Sequence, residues 1–192
     1  MLWDAHILAG GRARRLGGRD KGALVVGDRR ILERQIAALE GRAARIIIVG
    51  GPDRHIGGGV EVIPDSLPDI GALGGLYTAL VNAASERTLV MACDMPFVTG
   101  PFLEYLATVG GDCDVTVPRD DRGLHPLCAV YARAAAPAIR RVIDQGVRRL
   151  RDGISTLRMH LVEGPALAAF DREGRLLENI NTPDDYARVR RG

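Results

Sequence analysis

With 192 residues, 46% of them hydrophobic and 26% charged, the chain has the make-up of a globular protein, long enough for one well-packed domain (1–192) and short for two. A net charge of +2, with arginines and acids interspersed, argues against a nucleic-acid surface, so no nucleic acid partner is expected. No apolar run approaches the roughly 20 residues of a membrane span, and Asp4 and His6 stand where a signal peptide would need a basic then apolar stretch, so the expected setting is the cytoplasm, with no membrane partner.

The first element is an apolar run, Ala5 to Ala9, that reads as a short buried strand and leads straight into Gly10-Gly11-Arg12-Ala13-Arg14-Arg15-Leu16-Gly17-Gly18-Arg19-Asp20-Lys21-Gly22. Glycines let a backbone approach a ligand closely with its N–H groups turned inward, and basic side chains can close over the same anion, so this stretch has the composition of a phosphate cradle. Lys21 is followed by Gly22, not by Ser or Thr, and no Gly-x-Gly-x-x-Gly occurs in the stretch; the loop is therefore neither a P-loop nor a Rossmann fingerprint. Of the 26 Lys and Arg residues in the chain, Lys21 is the single lysine. An ammonium is a compact point charge and a guanidinium a broad fork, so the one position that kept an ammonium is a candidate phosphate ligand.

Farther on, Leu32, Ile36 and Leu39 fall at helical spacing, ended by Gly41, and Arg45–Val49 is a β-branched run that reads as a strand buried on both faces, with a shorter run at Val60–Ile63. Gly71 to Ala84 carries Leu73, Leu76, Leu80 and Ala84 on one stripe, a helix whose glycine-rich start can face a ligand. Thr88–Cys93 reads as a central strand, and a helix begins near Thr99 ahead of Pro101. This alternation argues an α/β fold in three layers, with a mostly parallel sheet between helices on both faces. Asp114–Val117 and Leu127–Tyr131 look like strands around a turn at Arg119–Gly123. Helical stretches are expected at Ala134–Asp144 and Val147–Leu150, then a strand near His160–Val162 and a helix opened by Thr182-Pro183-Asp184-Asp185.

Two carboxylates follow strands directly. Asp94 comes after the central run, at the sheet edge where open α/β sheets bind ligands, and is placed to hold Mg²⁺ beside a polyphosphate. Asp65 follows the short run in Ile63-Pro64-Asp65, where it can either accept from the donors of a ligand or simply fix a turn. Asn179-Ile180-Asn181 alternates two amides around an apolar residue, so both amides project to one face of an extended segment. His55 and His125 read as surface loop residues, and Cys93, Cys113 and Cys128 as reduced thiols that pack like small apolar residues.

The loop Leu8-Ala9-Gly10-Gly11, Arg15, Gly17-Gly18, Asp20-Lys21-Gly22 resembles the signature loop of the molybdenum cofactor guanylyltransferases, within the wider nucleotidyltransferase family, and Cys93-Asp94-Met95-Pro96 and Asn179-Ile180-Asn181-Thr182-Pro183 resemble later stretches of it. The resemblance implies a Rossmann-like nucleotidyltransferase fold and transfer of GMP from GTP to molybdenum-bound molybdopterin, with pyrophosphate released. It further implies Asp94 as the Mg²⁺ ligand, Lys21, Arg15 and Asp94 in catalysis, and Leu8, Ala9, Gly10, Gly11, Lys21, Asp65 and Asp94 at the nucleotide. Arg15, Gly18, Gly71, Gly75, Asn179 and Asn181 would border the pterin, and transient contact with other molybdenum cofactor biosynthesis or acceptor proteins is a further implication. Where the family often carries an asparagine after the second strand, this chain has Gly50-Gly51-Pro52-Asp53, which leaves base choice to Asp65 or to backbone groups. Two alternatives stand beside this reading: a related transferase using CTP or a sugar-phosphate acceptor, and a GTP-binding regulatory module without turnover.

Overall fold

The central sheet is laid down from its middle outwards. Strand β1 (Trp3–Leu8) pairs in parallel with β4 (Arg45–Val49) on one side and with β6 (Arg87–Ala92) on the other. The computed structural model describes residues 2–10, 21–50 and 59–191, without the side chains of Lys21 and Arg191. Beyond β4 lies β5 (Glu61–Ile63), and beyond β6 come β9 (Cys128–Ala132), β7 (Val115–Asp120) and β10 (Met159–Val162), giving the order β10-β7-β9-β6-β1-β4-β5. Along that path only β9 runs against the rest. Its reversal follows from a tight connection: β7 turns into the two-residue β8 (Gly123–Leu124), and a link that short returns a chain antiparallel, because a parallel return needs a crossover of a dozen residues or more. A two-stranded ribbon, β2 (Val25–Val26) and β3 (Arg29–Arg30), stands apart from the sheet.

The pleat sends alternate side chains into two cores. On one face Ala5, Ile7, Leu89, Met91, Cys128 and Val130 pack with α1 (Ile31–Leu39) and α3 (Gly100–Val109). On the other, Val90, Ala129, Tyr131, Val115 and Val117 pack with α2 (Ala72–Asn82), α4 (Ala136–Asp144) and the short α5 (Leu150–Ile154). This is the expected three-layer arrangement. The remaining helices are α6 (Pro165–Ala168), for which the sequence offers no periodic signal, and α7 (Pro183–Arg191). No helix among the described residues is long and apolar enough to cross a membrane.

Most expected elements are present, with local corrections. The strand expected to end before Arg119 runs on to Asp120, because Arg119 and Asp120 pair with Leu124 and Gly123 across the hairpin. The helical stretch expected at Val147–Leu150 lies at Leu150–Ile154; Val147 instead folds back on Val142 through its N–H. Ala84 falls outside α2, where its N–H donates to the buried Asp4 carboxylate at 2.6 Å. The start of α7 is as read. Thr182 Oγ1 accepts from Asp185 N–H at 3.1 Å while Asp185 Oδ2 accepts from Thr182 N–H at 2.9 Å, a reciprocal cap with Pro183 in the first turn. None of the cysteines is bridged, and Cys93 and Cys128 sit in the core, where burial pushes the Cys128 thiol up to about 12.

Candidate active site

The chain crosses from β1 to β4 on one side of the sheet and later returns to β6 on the other, so the direction of winding reverses between β1 and β6. In open α/β sheets the crevice outside the carboxyl ends of two such strands is the ligand site. Here those ends are stitched together: Cys93 N–H donates to Leu8 carbonyl at 3.2 Å, and Ala9 N–H to Val49 carbonyl at 2.9 Å. Gly10 and Gly50 then touch backbone to backbone. A Cβ on Gly10 would stand 3.1 Å from the Gly50 carbonyl oxygen, and Gly50 itself has a φ of +71°, so both positions require glycine.

Above this contact opens a cavity of about 250 Å³ lined by Leu8, Gly10, Asp65, Gly71, Gly75 and Asp94, among others. Asp65 fixes a turn, as its sequence context allowed. Its Oδ1 accepts from Leu67 N–H at 2.9 Å and from the Thr78 hydroxyl at 2.8 Å, which fixes the turn into the short 3₁₀ segment Pro68–Ile70, and the side chain still borders the cavity. Gly71, at φ +69°, precedes the first turn of α2, and a Cβ on Gly75 would come within 3.0 Å of Leu8 Cδ1. The start of α2 therefore lies flush on the end of β1, and its bare backbone forms a cavity wall.

A larger cleft of about 720 Å³ adjoins the first and shares Ala72, Ala92, Asp94 and Leu127 with it. Its own walls carry Arg122, His125, Arg149, Arg151, Asn179 and Asn181. Asn179 and Asn181 are exposed while Ile180 between them is fully buried, which is the alternation the sequence suggested. Ile180 N–H donates to the Asp94 carbonyl at 2.9 Å, so the late Asn-Ile-Asn segment is clipped onto the carboxylate-bearing turn. Asp94 is 7% exposed and stands on the border between the two cavities.

His125 departs from the reading as a surface loop residue. Its side chain is 12% exposed, and Nε2 lies 2.8 Å from Asp120 Oδ1. Burial works against ionisation of Asp120, but hydrogen bonds from Arg122 and the close approach of the His125 ring outweigh it and hold the carboxyl below the usual carboxylate range. The hairpin thus presents Arg122 and His125 to the larger cleft from a fixed base.

Of the residues singled out in the sequence, Leu8, Gly10, Asp65, Gly71, Gly75 and Asp94 are brought to one cavity, Asn179 and Asn181 to its neighbour, and Ala9 to the strand end between β1 and β4. Gly71 and Gly75, expected on the pterin side, share a cavity with Leu8 and Asp65, expected on the nucleotide side. Gly11, Arg15, Gly18, His55 and the Gly51-Pro52-Asp53 run lie outside the described residues, as does the Lys21 side chain.

A family model described as a MobA-like NTP transferase domain matches residues 5–160. The chain belongs to this family. A probable molybdenum cofactor guanylyltransferase from Pelotomaculum thermopropionicum is 35% identical over 185 residues, which span 96% of this chain and 90% of the relative. Another of the same name, from Methanothermobacter thermautotrophicus, is 34% identical and spans 96% and 97%. The molybdopterin-guanine dinucleotide biosynthesis protein A of Archaeoglobus fulgidus is similar in structure, with a TM-score of 0.82 at 28% identity over 98% of this chain and 97% of that one. A Thermus thermophilus 2-C-methyl-D-erythritol 4-phosphate cytidylyltransferase shares the fold at a TM-score of 0.71 and 18% identity. Membership in the MobA-like family makes the chain a nucleotidyltransferase, and Asn179 and Asn181 fall beyond the matched segment while lining its cleft.

Sequence reasoning missed Thr78, Arg122, Arg149 and Gln35, whose role is taken up below. With 25 arginines in the chain an arginine carries little signal by itself, and Thr78 reads as an ordinary helix residue until Asp65 is found beside it.

Proposed function

We propose that this MobA-like transferase moves GMP from GTP to the terminal phosphate of molybdenum-bound molybdopterin and releases pyrophosphate. The observation that carries the reading is the pair of adjoining cavities with Asp94 on their border: a glycine-walled one where the glycine-rich loop begins, and a larger one faced by amides and arginines. The names of the relatives support the identity of the two substrates.

In this reading the nucleotide occupies the smaller cavity. Leu8, Ala9, Gly10 and Gly11 let it lie against bare backbone, and Asp65 accepts from the guanine edge. The acceptor lies along Asn179 and Asn181, with Gly71 and Gly75 at the junction and Arg15 and Gly18 contributing from the loop. An acceptor phosphate oxygen attacks the α-phosphorus; the new P–O bond forms as the bond to the bridging α–β oxygen breaks, and that electron pair leaves with pyrophosphate. No protein nucleophile is needed, so the chain's task is positioning and neutralisation of charge. Lys21 and Arg15 supply cations to the phosphates.

Asp94 would hold a Mg²⁺. The donor set suits that ion: one hard carboxylate oxygen, and among the described residues no group of three or more His, Cys, Asp or Glu side chains that would favour another metal. Bound there, Mg²⁺ would offset the negative charge of the phosphates. The test is pyrophosphate release with each of the four NTPs and molybdenum-molybdopterin as acceptor. Turnover with GTP, dependent on acceptor and Mg²⁺, is expected. Turnover with CTP in its place, or GTP binding without pyrophosphate release, overturns the reading.

A further inference from the structure

The turn that carries Asp94 leaves the sheet at Ala92, so its backbone groups lose their ladder partners and must find others. Three of these partners come from the chain ends already described or from neighbouring backbone. Ala92 N–H donates to Leu127 carbonyl at 2.9 Å, Cys93 N–H to Leu8 carbonyl, and Ile180 N–H to Asp94 carbonyl. Two carbonyls of the turn, those of Ala92 and Met95, are both met by one side chain. Gln35 of α1, fully buried, donates through Nε2 to Ala92 carbonyl at 2.8 Å and to Met95 carbonyl at 3.1 Å.

This amide has one usable orientation, because a flip would set its own oxygen against two carbonyl oxygens. In the observed orientation Oε1 is buried without a hydrogen-bond partner among the described residues. An unpaired buried acceptor costs free energy, and the rest of the inward face of α1, Ile31, Ile36 and Leu39, is apolar. A side chain chosen for packing alone would carry no such cost. What Gln35 achieves is a clamp across the residues that flank Asp94, made from the helix that follows the glycine-rich loop.

We infer that Gln35 is a positioning residue: by bridging Ala92 and Met95 it sets where the Asp94 carboxylate stands between the two cavities. The inference rests on the reading of Asp94 as the cation ligand. Its test is the affinity of the protein with GTP for Mn²⁺, followed by the electron paramagnetic resonance of the free ion, in Gln35→Met and Gln35→Glu. Met keeps the length and loses both donors, and Glu keeps the shape with two acceptors facing the carbonyls. Both variants should bind Mn²⁺ at least tenfold more weakly, with GTP affinity in the absence of metal unchanged within a few-fold.

A merely structural role is separated by Ile139→Ala, a cavity in the opposite core that lowers thermal stability and should leave Mn²⁺ affinity intact. Circular dichroism establishes that each variant is folded before binding is read, and Gln35→Glu decides if Gln35→Met does not fold. Wild-type Mn²⁺ affinity in a folded Gln35 variant overturns the inference. Asp94→Asn, run alongside, tells which claim has failed: if it too binds Mn²⁺ normally, the metal assignment is wrong and the inference falls with it, whereas loss in Asp94→Asn with retention in the Gln35 variants sinks the inference alone.

Discussion

His6 lies in the middle of β1 and is fully buried, with Nδ1 2.7 Å from Thr88 Oγ1 and Nε2 unpaired among the described residues. Burial is the main cause that lowers its pKa from 6.5 to about 4; Arg45 adds to the effect, while Asp4 and Glu61 oppose it. The unfolded chain therefore takes up a proton at a higher pH than the folded one does. Stability from this residue is complete above pH 6.5, falls as pH drops through that value, and levels off below about 4. At about 1.4 kcal/mol per pH unit between the two values, the whole window amounts to roughly 3.4 kcal/mol, and roughly 2 kcal/mol of it is lost by pH 5. For a chain of this size that corresponds to a fall in Tm of about 4–8 °C between pH 7.5 and 5. Carboxylates held low by their partners, such as Asp114 and Asp185, lose their contributions only at lower pH and do not enter this interval. The measurement is thermal unfolding by circular dichroism across the interval, for the native protein and His6→Leu. Thr88 keeps a bond to Asp4 carbonyl at 3.2 Å in the variant, so His6→Leu should be near the native stability or about 1 kcal/mol below it at pH 7.5 and above it at pH 5. Parallel Tm curves for the two proteins would refute the reasoning and place the pH sensitivity elsewhere.

Three further outcomes follow from the site. Asp94→Asn should lower turnover by about 10³-fold or more with the fold intact by circular dichroism, and activity within a few-fold of native would make Asp94 a turn residue. Asp65→Ala should erode a preference for GTP over CTP by roughly ten- to a hundredfold in titration calorimetry, whereas equal affinities in the native protein would remove Asp65 from base recognition. Lys21→Arg should reduce kcat/KM for pyrophosphate release by roughly ten- to a thousandfold at nearly constant Tm, because the broader guanidinium is a poor substitute for an ammonium as a point donor to phosphate; full activity in that variant would reduce the solitary lysine to an accident of composition.

The sequence by itself determined the layers and the chemistry at each chain position. Arg45–Val49 and Arg87–Ala92 are strands because β-branched and apolar runs fit the middle of a sheet covered on both faces, and Leu73, Leu76 and Leu80 fix the buried stripe of α2. The place of Asp94 beside the cavities was legible for the same reason: a carboxylate directly after a central strand must emerge at the sheet edge. Tertiary structure alone decided what stands opposite what. The strand order that puts β1 between β4 and β6, and so opens the crevice, depends on which way each crossover turns, and no local pattern encodes that choice. The docking of Asn179-Ile180-Asn181 on Asp94 spans nearly half of the chain and is made through a backbone hydrogen bond, which any residue but proline could supply. Gln35 is the plainest case. In the sequence it is one more polar residue in an amphipathic helix, and its place in the core follows only from two carbonyls, at Ala92 and Met95, that the sheet leaves without partners.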